Sequence, residues 1–267
     1  MTSLELPLAT GPHARPDAAH FAAPVCRNCA APLQAAWCGS CGQARAKRLG
    51  VSVLRSEAWQ KWRWFEWAML DAAWRIASRP GSVAREYVLG ARKRHVHPLK
   101  LLLAAIGVLL LVLARANYLE SAQGNAGAAI ELVRRWSNWS FSLGIFAILA
   151  ASLGVFGRRG GYNATEHLVL AAYCQLVVIV ASTLTKLPTL LWTDPTFVAT
   201  HRALSPWLLN AIGALVIGVA FTQFFALDLR RDGGRLALAL LIYLGTKWLL
   251  LRAYAWLIVL IVLGRQA

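Results

Sequence analysis

The sequence predicts an all-α integral membrane protein: a five-helix transmembrane bundle preceded by a small cytosolic module with four cysteines and an interfacial Trp-rich helix. The cysteines stand close together near the N-terminus, a segment rich in tryptophan and charge follows them, and long uncharged runs dominate the second half of the chain. The 267 residues are 58% hydrophobic and carry a formal charge of +16. In a soluble protein such a charge would suggest nucleic acid, but here it fits the positive-inside rule, so nucleic acid is not an expected partner.

Cys26, Cys29, Cys38 and Cys41 form two Cys-x-x-Cys pairs separated by eight residues. Four thiolates at this spacing can surround one tetrahedral ion, and zinc is the metal that usually occupies such a site. Residues 26–48 are therefore predicted to be a zinc-ribbon-like module with one structural Zn²⁺, and rubredoxin-like iron is the alternative. Because free thiolates persist in a reducing compartment, the module is predicted to be cytosolic.

The segment before the cysteines, residues 1–25, contains Pro7, Pro12 and Pro16 and has no apolar run of the kind found in a signal peptide. It is predicted to be a disordered tail. The first transmembrane segment is expected to serve as the targeting signal.

Residues 51–98 read as neither a linker nor a span. Tryptophans at near-helical spacing alternate with charged residues, which predicts an amphipathic helix in the headgroup region, and a helix packed against the bundle is the alternative. Pro80 and Gly81 are expected to end it, and Ser82 to cap a short second helix that stops before Gly90. The aromatic residues that are interleaved with charged ones are Trp59, Trp62, Trp64, Phe65, Trp67 and Trp74.

A basic run, Arg92, Lys93 and Arg94, directly precedes the first apolar segment. Such residues gain about 1 kcal/mol each near anionic lipid, so they are candidate contacts to lipid headgroups. A cluster that only orients the chain in the membrane is the alternative.

Five apolar segments in residues 99–267 are predicted to cross the membrane, because about 20 helical residues traverse roughly 30 Å of hydrocarbon. Lys247 and Arg252 interrupt the last segment, for which one tilted helix is favoured over a broken one. Lys247 is expected to find a polar partner such as Asn210 or Thr185. The predicted spans are 99–119, 139–157, 168–187, 207–227 and 236–263.

The distribution of basic residues predicts the orientation. If the N-terminus is cytosolic, 20 of the 28 Lys and Arg residues lie on the cytosolic side. By the positive-inside rule this indicates a multi-pass protein of the bacterial inner membrane with a periplasmic C-terminus, in agreement with the thiolate argument. The other eight basic residues are Arg115, Arg134, Arg135, Lys186, Arg202, Lys247, Arg252 and Arg265.

Several short motifs follow one another along the chain. They are Cys-x-Asn-Cys at 26–29, Trp-Cys-x-x-Cys-Gly-Gln at 37–43, Arg-Pro-Gly at 79–81, Tyr-x-x-Gly-x-Arg at 87–92, Pro98, and Glu-His-Leu-Val at 166–169. This order resembles an uncharacterised bacterial membrane family, domain-of-unknown-function family 3667, from Cys26 over nearly the whole chain. The resemblance implies the architecture and a zinc-ribbon-like module, but no reaction. Two departures are Ala30, where such a knuckle usually has glycine, and Tyr173, where a second histidine is more common.

Glu166 and His167 stand at the start of the third predicted span, with Thr165 as the expected helix cap. The structural explanation is that the helix dipole, or arginines before the fifth span, stabilise the carboxylate. The functional explanation is that this ionisable pair at a membrane boundary marks a polar site together with Tyr173. The arginines concerned are Arg230, Arg231 and Arg235.

No catalytic triad, phosphate-binding loop or paired intramembrane carboxylates can be found in the sequence, so a non-enzymatic protein is favoured. The leading hypothesis is a membrane anchor that presents the zinc module to a protein partner. One alternative is a small transporter or lipid-handling protein that uses Glu166 and His167. Another is a membrane-tethered nucleic-acid binder that uses Arg45, Lys47 and Arg48, although lipid headgroups are an equally suitable anion for these residues.

Overall fold

The computed structural model describes residues 14–60, 68–115 and 143–263. Within these ranges the regular structure is helical and no β-strand forms, which confirms the predicted all-α class. Two isolated antiparallel bridges join Val25 to Pro32 and Trp37 to Ala44 near the cysteines. The helices are α1 (Ala18–Ala22), α2 (Val51–Gln60), α3 (Ala68–Ser78), α4 (Pro80–Val88), α5 (Pro98–Arg115), α6 (Leu143–Phe156), α7 (Ala164–Lys186), α8 (Pro188–Leu191), α9 (Pro195–Phe225) and α10 (Leu229–Leu263).

Four helical stretches in the described part of the chain are long and apolar enough to cross a membrane, as expected for a membrane protein. Each of them overlaps one predicted span. The predicted span 139–157 corresponds to the shorter apolar helix α6, and residues 116–142 lie outside the described ranges, so the count of five spans stays a prediction. The four stretches are Pro98–Arg115, Ala164–Leu191, Pro195–Phe225 and Leu229–Leu257.

The last helix, α10, is continuous through Lys247 and Arg252, so the charged residues do not break it. The ammonium group of Lys247 donates a hydrogen bond to Asn210 Oδ1 on α9 at 2.7 Å. This is one of the partners that the sequence predicts. A polar partner on a neighbouring helix offsets the cost of placing a charge in an apolar segment, and the helix can therefore remain whole.

Helix α7 lies at the centre of the bundle and packs against α4, α5 and α9. Its apolar residues surround the whole helix, which is the pattern of a helix buried on all sides. Leu170, Tyr173 and Cys174 are fully buried there. The start of α7, with Glu166 and His167, therefore lies at one end of a packed core.

The start of α4 differs from the prediction. The helix before Pro80 does end there, at Ser78, but α4 is capped at Arg79 and not at Ser82. Pro80 and Gly81 form its first turn, where proline is tolerated because the first N–H groups have no partner within the helix.

The amide oxygen of Gln223 on α9 accepts hydrogen bonds from the N–H groups of Gly81 and Ser82, at 3.1 and 3.2 Å. A Cβ atom at position 81 would lie 2.0 Å from the carbonyl oxygen of Ala220. Glycine is thus required for the close approach of α4 and α9.

The predicted Trp-rich helix corresponds in part to α2 and α3. Residues 61–67, and with them Trp62, Trp64, Phe65 and Trp67, lie outside the described ranges. On α3 the side chain of Trp74 is 74% exposed. An interfacial position of this segment stays a prediction.

The predicted disorder of the tail does not extend to residues 14–25. The carboxylate of Asp17 caps α1 by accepting a hydrogen bond from the N–H of His20 at 2.7 Å. The imidazole Nε2 of His20 bonds to the carbonyl oxygen of Leu89 at 2.8 Å, which holds α1 beside the end of α4. Residues 1–13 lie outside the described ranges.

Candidate metal centre and its attachment to the bundle

The four sulfur atoms of Cys26, Cys29, Cys38 and Cys41 lie within 4.8 Å of one another. The Sγ atoms of Cys26 and Cys41 are 3.6 Å apart, and those of Cys29 and Cys38 are 3.5 Å apart. None of these cysteines forms a disulfide. Four sulfurs bound tetrahedrally at about 2.3 Å from a metal are roughly 3.8 Å apart, so the arrangement fits a single ion.

Two turns of the same geometry hold the cysteine pairs. The carbonyl oxygen of Cys26 accepts from the N–H of Ala30, and that of Cys38 accepts from the N–H of Gly42, both at 2.8 Å. Ala30 and Gly42 both have positive φ angles, 58° and 67°. The turn at Ala30 therefore tolerates a side chain where glycine is usual, at a cost of about 1 kcal/mol.

The surroundings of three of the thiols shift their pKa values in different directions. The backbone N–H of Cys41 lowers the pKa of the Cys38 thiol to about 6, so this sulfur is largely ionised at neutral pH. Burial, in contrast, raises the pKa of the Cys26 thiol. A cation between the four sulfurs favours the thiolate form of both groups, and this donor set suits a soft or borderline divalent metal.

The four-cysteine module, residues 26–48, is attached to the bundle by the side chain of Gln43. Its amide nitrogen donates to the carbonyl oxygen of Gly90 at 2.8 Å. Its amide oxygen accepts from the N–H groups of Arg92 and Lys93, at 3.1 and 2.9 Å. Gly90 has φ +105°, and a Cβ there would lie 2.8 Å from the Cβ of Ala46. Two motifs that are distant in sequence are thus in direct contact.

Arg92 lies in a buried network between the module and α2. Its guanidinium donates to Glu57 Oε1 at 2.5 Å and to the carbonyl oxygen of Lys47. The other carboxylate oxygen of Glu57 accepts from the hydroxyl of Tyr87 at 3.0 Å. Arg92, predicted as a headgroup contact, is instead buried in the protein, because a carboxylate there balances its charge and the two acceptors bind its Nη1 and Nη2 groups.

Lys93 and Arg94 each contact one of the cysteine turns. Lys93 donates from its ammonium group to the carbonyl oxygen of Cys41. Arg94 donates from its guanidinium to the carbonyl oxygen of Asn28 at 2.5 Å, and from its backbone N–H to Asn28 Oδ1 at 3.2 Å. Both side chains remain exposed, and their contact with lipid headgroups stays a prediction.

A second carboxylate, that of Glu86 on α4, helps to hold the loop between α4 and α5. The imidazole Nε2 of His95 lies 2.9 Å from Glu86 Oε2, and the guanidinium of Arg94 lies 3.6 Å from the same oxygen. The hydrogen bond with His95 lowers the pKa of Glu86 below its usual range. Glu86 is therefore ionised at neutral pH and holds the loop against α4.

The cap of α7 is Asn163, not Thr165 as predicted. Asn163 Oδ1 accepts from the N–H of Glu166 at 2.9 Å, and Glu166 Oε2 accepts from the N–H of Asn163 at 2.7 Å. This reciprocal arrangement is a capping box, in which the asparagine stands three residues before the carboxylate.

Glu166 also forms an ion pair with Arg48, at the end of the module, and not with the predicted arginines. Arg48 Nε lies 3.2 Å from Glu166 Oε1, and Arg48 Nη2 lies 3.3 Å from Oε2. Next to this pair, Asn163 Nδ2 donates to the carbonyl oxygen of Leu49 at 2.8 Å. The prediction was wrong because nearer acids bind two of the expected arginines: Arg231 pairs with Asp228 and Arg235 with Asp232.

The structure does not bring Glu166, His167 and Tyr173 together in one site. His167 Nδ1 forms a hydrogen bond with Ser152 Oγ on α6 at 2.6 Å. The hydroxyl of Tyr173 donates to the carbonyl oxygen of Val96, just before α5, at 2.9 Å. Each of the three residues therefore binds a different element, and together they fix the module end of α7.

Sequence reasoning identified the cysteines but not the residues that attach the module. Gln43 is the last residue of the Trp-Cys-x-x-Cys-Gly-Gln motif at 37–43. Its position directly after the second cysteine turn could have indicated that it binds a neighbouring element. Glu57 and Arg48 carry no local signal, because their partners are distant in sequence.

The fold and the candidate metal centre define a helical membrane protein whose N-terminal four-cysteine module lies against one end of its bundle. Residues 69–110 match the model of the family described as Protein of unknown function (DUF3667), which confirms the resemblance to that family. The match lies within α3, α4 and α5 and is shorter than the motif order suggested, since the cysteines lie outside it. Comparisons with curated proteins and with solved structures give no match.

Proposed function

We propose that the four cysteines hold one structural zinc ion and that the module so formed docks a protein partner at the cytosolic face of the bacterial inner membrane. The observation that carries this proposal is a tryptophan of the module, Trp37, whose side chain is largely exposed.

Zinc is supported by the donor set. All four donors are sulfurs, which leaves no open position for a substrate, and structural zinc sites have this composition. The buried apolar core of the module consists of Cys26, Leu33 and Cys38. Such a core is too small to fold the segment alone, so metal binding must supply much of the folding free energy, about 10 kcal/mol or more in small finger peptides.

Elemental analysis of the purified full-length protein should give about one zinc per chain. Cys38→Ser should lose most of the zinc because three thiolates bind it much more weakly. Cys174→Ala is the matched control, since this cysteine is buried in α7, and it should retain the metal. Iron as the main metal, or full zinc content in Cys38→Ser, would contradict the assignment.

The docking surface is built on the second cysteine turn. The side chain of Trp37 is 64% exposed, although its backbone is fixed by the bridge to Ala44. The N–H of Arg45 bonds to the carbonyl oxygen of Ala36 at 2.8 Å, so an exposed cation lies on the backbone segment that pairs with that of the tryptophan. Tryptophan and arginine dominate the energy of many protein interfaces. A partner with an acidic surface around an apolar pocket is complementary to this pair.

Affinity isolation of the intact protein from its own membrane tests the docking surface. Trp37→Ala should lose the partner while it keeps the zinc, because Trp37 is not a ligand. Trp74→Ala replaces a tryptophan of similar exposure on α3 and should retain the partner. The proposal fails if the partners recovered with Trp37→Ala and with Cys38→Ser equal those of the unaltered protein.

The two other hypotheses are less well supported. Glu166 binds Arg48 and caps α7, and His167 binds Ser152, so both have structural partners. The ion pair of Arg48 also removes one cation from the basic run that a nucleic-acid site would need.

A further inference from the structure

A cavity lies at the end of the bundle opposite the four-cysteine module. It has a volume of about 390 Å³ and lies between α6, α7, α9 and α10. Lys186, on its wall, follows Glu166 by 20 residues on α7, and Glu166 is the residue that binds the module. At 1.5 Å per residue the two are about 30 Å apart along the helix, which is close to the thickness of the hydrocarbon core. The cavity is therefore separate from the module and its surroundings.

One cation at this cavity, the ammonium group of Lys247 on α10, has only neutral partners in the described part of the chain. It donates to Asn210 Oδ1 on α9 at 2.7 Å and lies 5.7 Å from the centre of the Tyr243 ring. None of the described residues that line the cavity is acidic. Lys186 and Arg202 line it as well, but both have interactions of their own and are not assigned to a ligand. Because a charge inside a bundle is costly unless it is paired, Lys247 favours an anionic ligand.

The hydroxyl of Tyr243 is a second donor at the cavity. Tyr243 is only 1% exposed and stands one helical turn before Lys247, so the two residues share a face of α10. Gly213 on α9 leaves space for the hydroxyl, since a Cβ atom there would lie 2.7 Å from its oxygen. Among the described residues, none forms a hydrogen bond with this hydroxyl. Buried hydroxyl groups are normally hydrogen-bonded, so the acceptor is expected to come from a molecule in the cavity.

Ser205 on α9 offers a third donor. It is 7% exposed and lines the cavity, and its hydroxyl also forms no hydrogen bond with a residue in the described ranges. One ammonium group and two hydroxyl groups can donate together to a ligand group that only accepts hydrogen bonds. An ionised carboxylate is such a group, and it also carries the single negative charge that would balance Lys247.

The rest of the wall is largely apolar and includes Leu143, Ile179 and Leu251. A hydrated inorganic anion gains nothing from such a wall, whereas an alkyl chain is removed from water there. A volume of about 390 Å³ is near the lower end of the range for pockets that hold small organic molecules. It therefore suits a ligand with one alkyl chain better than a phospholipid with two.

We propose that this cavity binds a fatty acid of medium chain length, with its carboxylate at Lys247, Tyr243 and Ser205 and its chain against the apolar wall. The two carboxylate oxygens accept from different donors, so the three side chains can bind the same group. The site involves neither the four-cysteine module nor its proposed partner.

The test uses the purified full-length protein in a neutral detergent, with the binding of single ligands measured by native mass spectrometry. Dodecanoate should bind about tenfold more tightly than dodecanol, which has the same chain but no charge. Acetate has the charge but no chain, and at equal concentration it should not displace dodecanoate. Equal binding of dodecanoate and dodecanol would overturn the proposal. Displacement by acetate would overturn the role of the chain, and tighter binding of dodecyl phosphate would overturn the carboxylate.

Two substitutions test the residues. Lys247→Gln should weaken dodecanoate binding about tenfold, the loss expected for a charged hydrogen bond. Tyr243→Phe should weaken it roughly fivefold, the loss expected for a neutral one. Because Tyr243→Phe removes only a hydroxyl and keeps the ring beside Lys247, the thermal unfolding midpoint without ligand should not change. This variant therefore decides the question even if Lys247→Gln fails to fold.

Arg252→Gln is the matched control, because Arg252 stands five residues after Lys247 on the same helix but does not line the cavity. It should leave dodecanoate binding unchanged. Binding that is as tight in Tyr243→Phe as in the unaltered protein, or that is weakened as much by Arg252→Gln as by Lys247→Gln, would overturn the proposal.

Discussion

At the scale of single residues, the side-chain amide of Gln43 is complementary to the backbone groups of the loop after α4. It offers an N–H to one backbone carbonyl and an oxygen to two backbone N–H groups, and all three are used. A glutamate of the same length would accept but not donate, and would place a carboxylate oxygen against the carbonyl oxygen of Gly90 in place of an N–H donor.

Gln43→Ala should loosen the module from the bundle, because it removes all three hydrogen bonds of the amide and leaves the N–H of Lys93 without this acceptor. The expected loss is about 1–3 kcal/mol for the lost hydrogen bonds. Limited proteolysis in detergent should cut between the module and α2 faster in this variant, while the bundle stays intact. Gln34→Ala changes an exposed glutamine of the same module and should behave as the unaltered protein does. Equal cleavage rates in the two variants would contradict the role of Gln43.

At the scale of helices, the sequence of each segment predicts where a helix lies, but contacts with residues distant in sequence determine how the helix begins. Four predicted spans overlap helices that are long and apolar enough to cross a membrane, because a run of about 20 uncharged residues is a strong signal for such a helix. The start of α4 was misread because its cap comes from Gln223, on another helix. The partner of Glu166 was misread for the same reason, since Arg48 is 118 residues away. The cysteine site was predictable because all its ligands lie within one short segment.

Gly81→Ala should destabilise the bundle, because its Cβ would meet the carbonyl oxygen of Ala220 on α9. Overpacking of this kind costs about 1–3 kcal/mol, or more where backbone must move. Thermal unfolding of the detergent-solubilised protein should show a lowered midpoint. Gly107→Ala, on α5, has no atom near the new Cβ and should not lower it. A shift of the same size in both variants would show that α4 and α9 separate at little cost.

At the scale of the whole molecule, several polar contacts join the ends of different helices to one another or to the module. Arg48 binds the start of α7, and Arg92 lies in the loop before α5. Arg159, after α6, forms a two-bond ion pair with Asp232 at the start of α10, with distances of 2.6 and 2.8 Å. The module, the loop before α5, the connection from α6 to α7 and the start of α10 therefore lie on the same side of the membrane.

Fusions to alkaline phosphatase, which is active only in the periplasm, test the proposed orientation. Fusions after Arg159 and Arg231 should be inactive, like a reference fusion after Gly50 in the module. Fusions after Asp194 and at the C-terminus should be active, because α9 and α10 are each predicted to cross once. An inactive C-terminal fusion, with an active one after Asp194, would show that the last segment turns back in the membrane.

The distance in sequence between Arg48 and Glu166 also imposes an order on biosynthesis. The chain leaves the ribosome from its N-terminus, so the four cysteines are available before α5 and the helices that follow it have been made. The partners of Gln43 follow 47 to 50 residues later, and Glu166 follows Arg48 by 118 residues. While α5 and α6 are synthesised, the module can therefore be held by its own contacts and by the loop after α4, but not by α7. The ion pair between Arg48 and Glu166 forms only when α7 emerges, so it joins two segments that are made far apart in time.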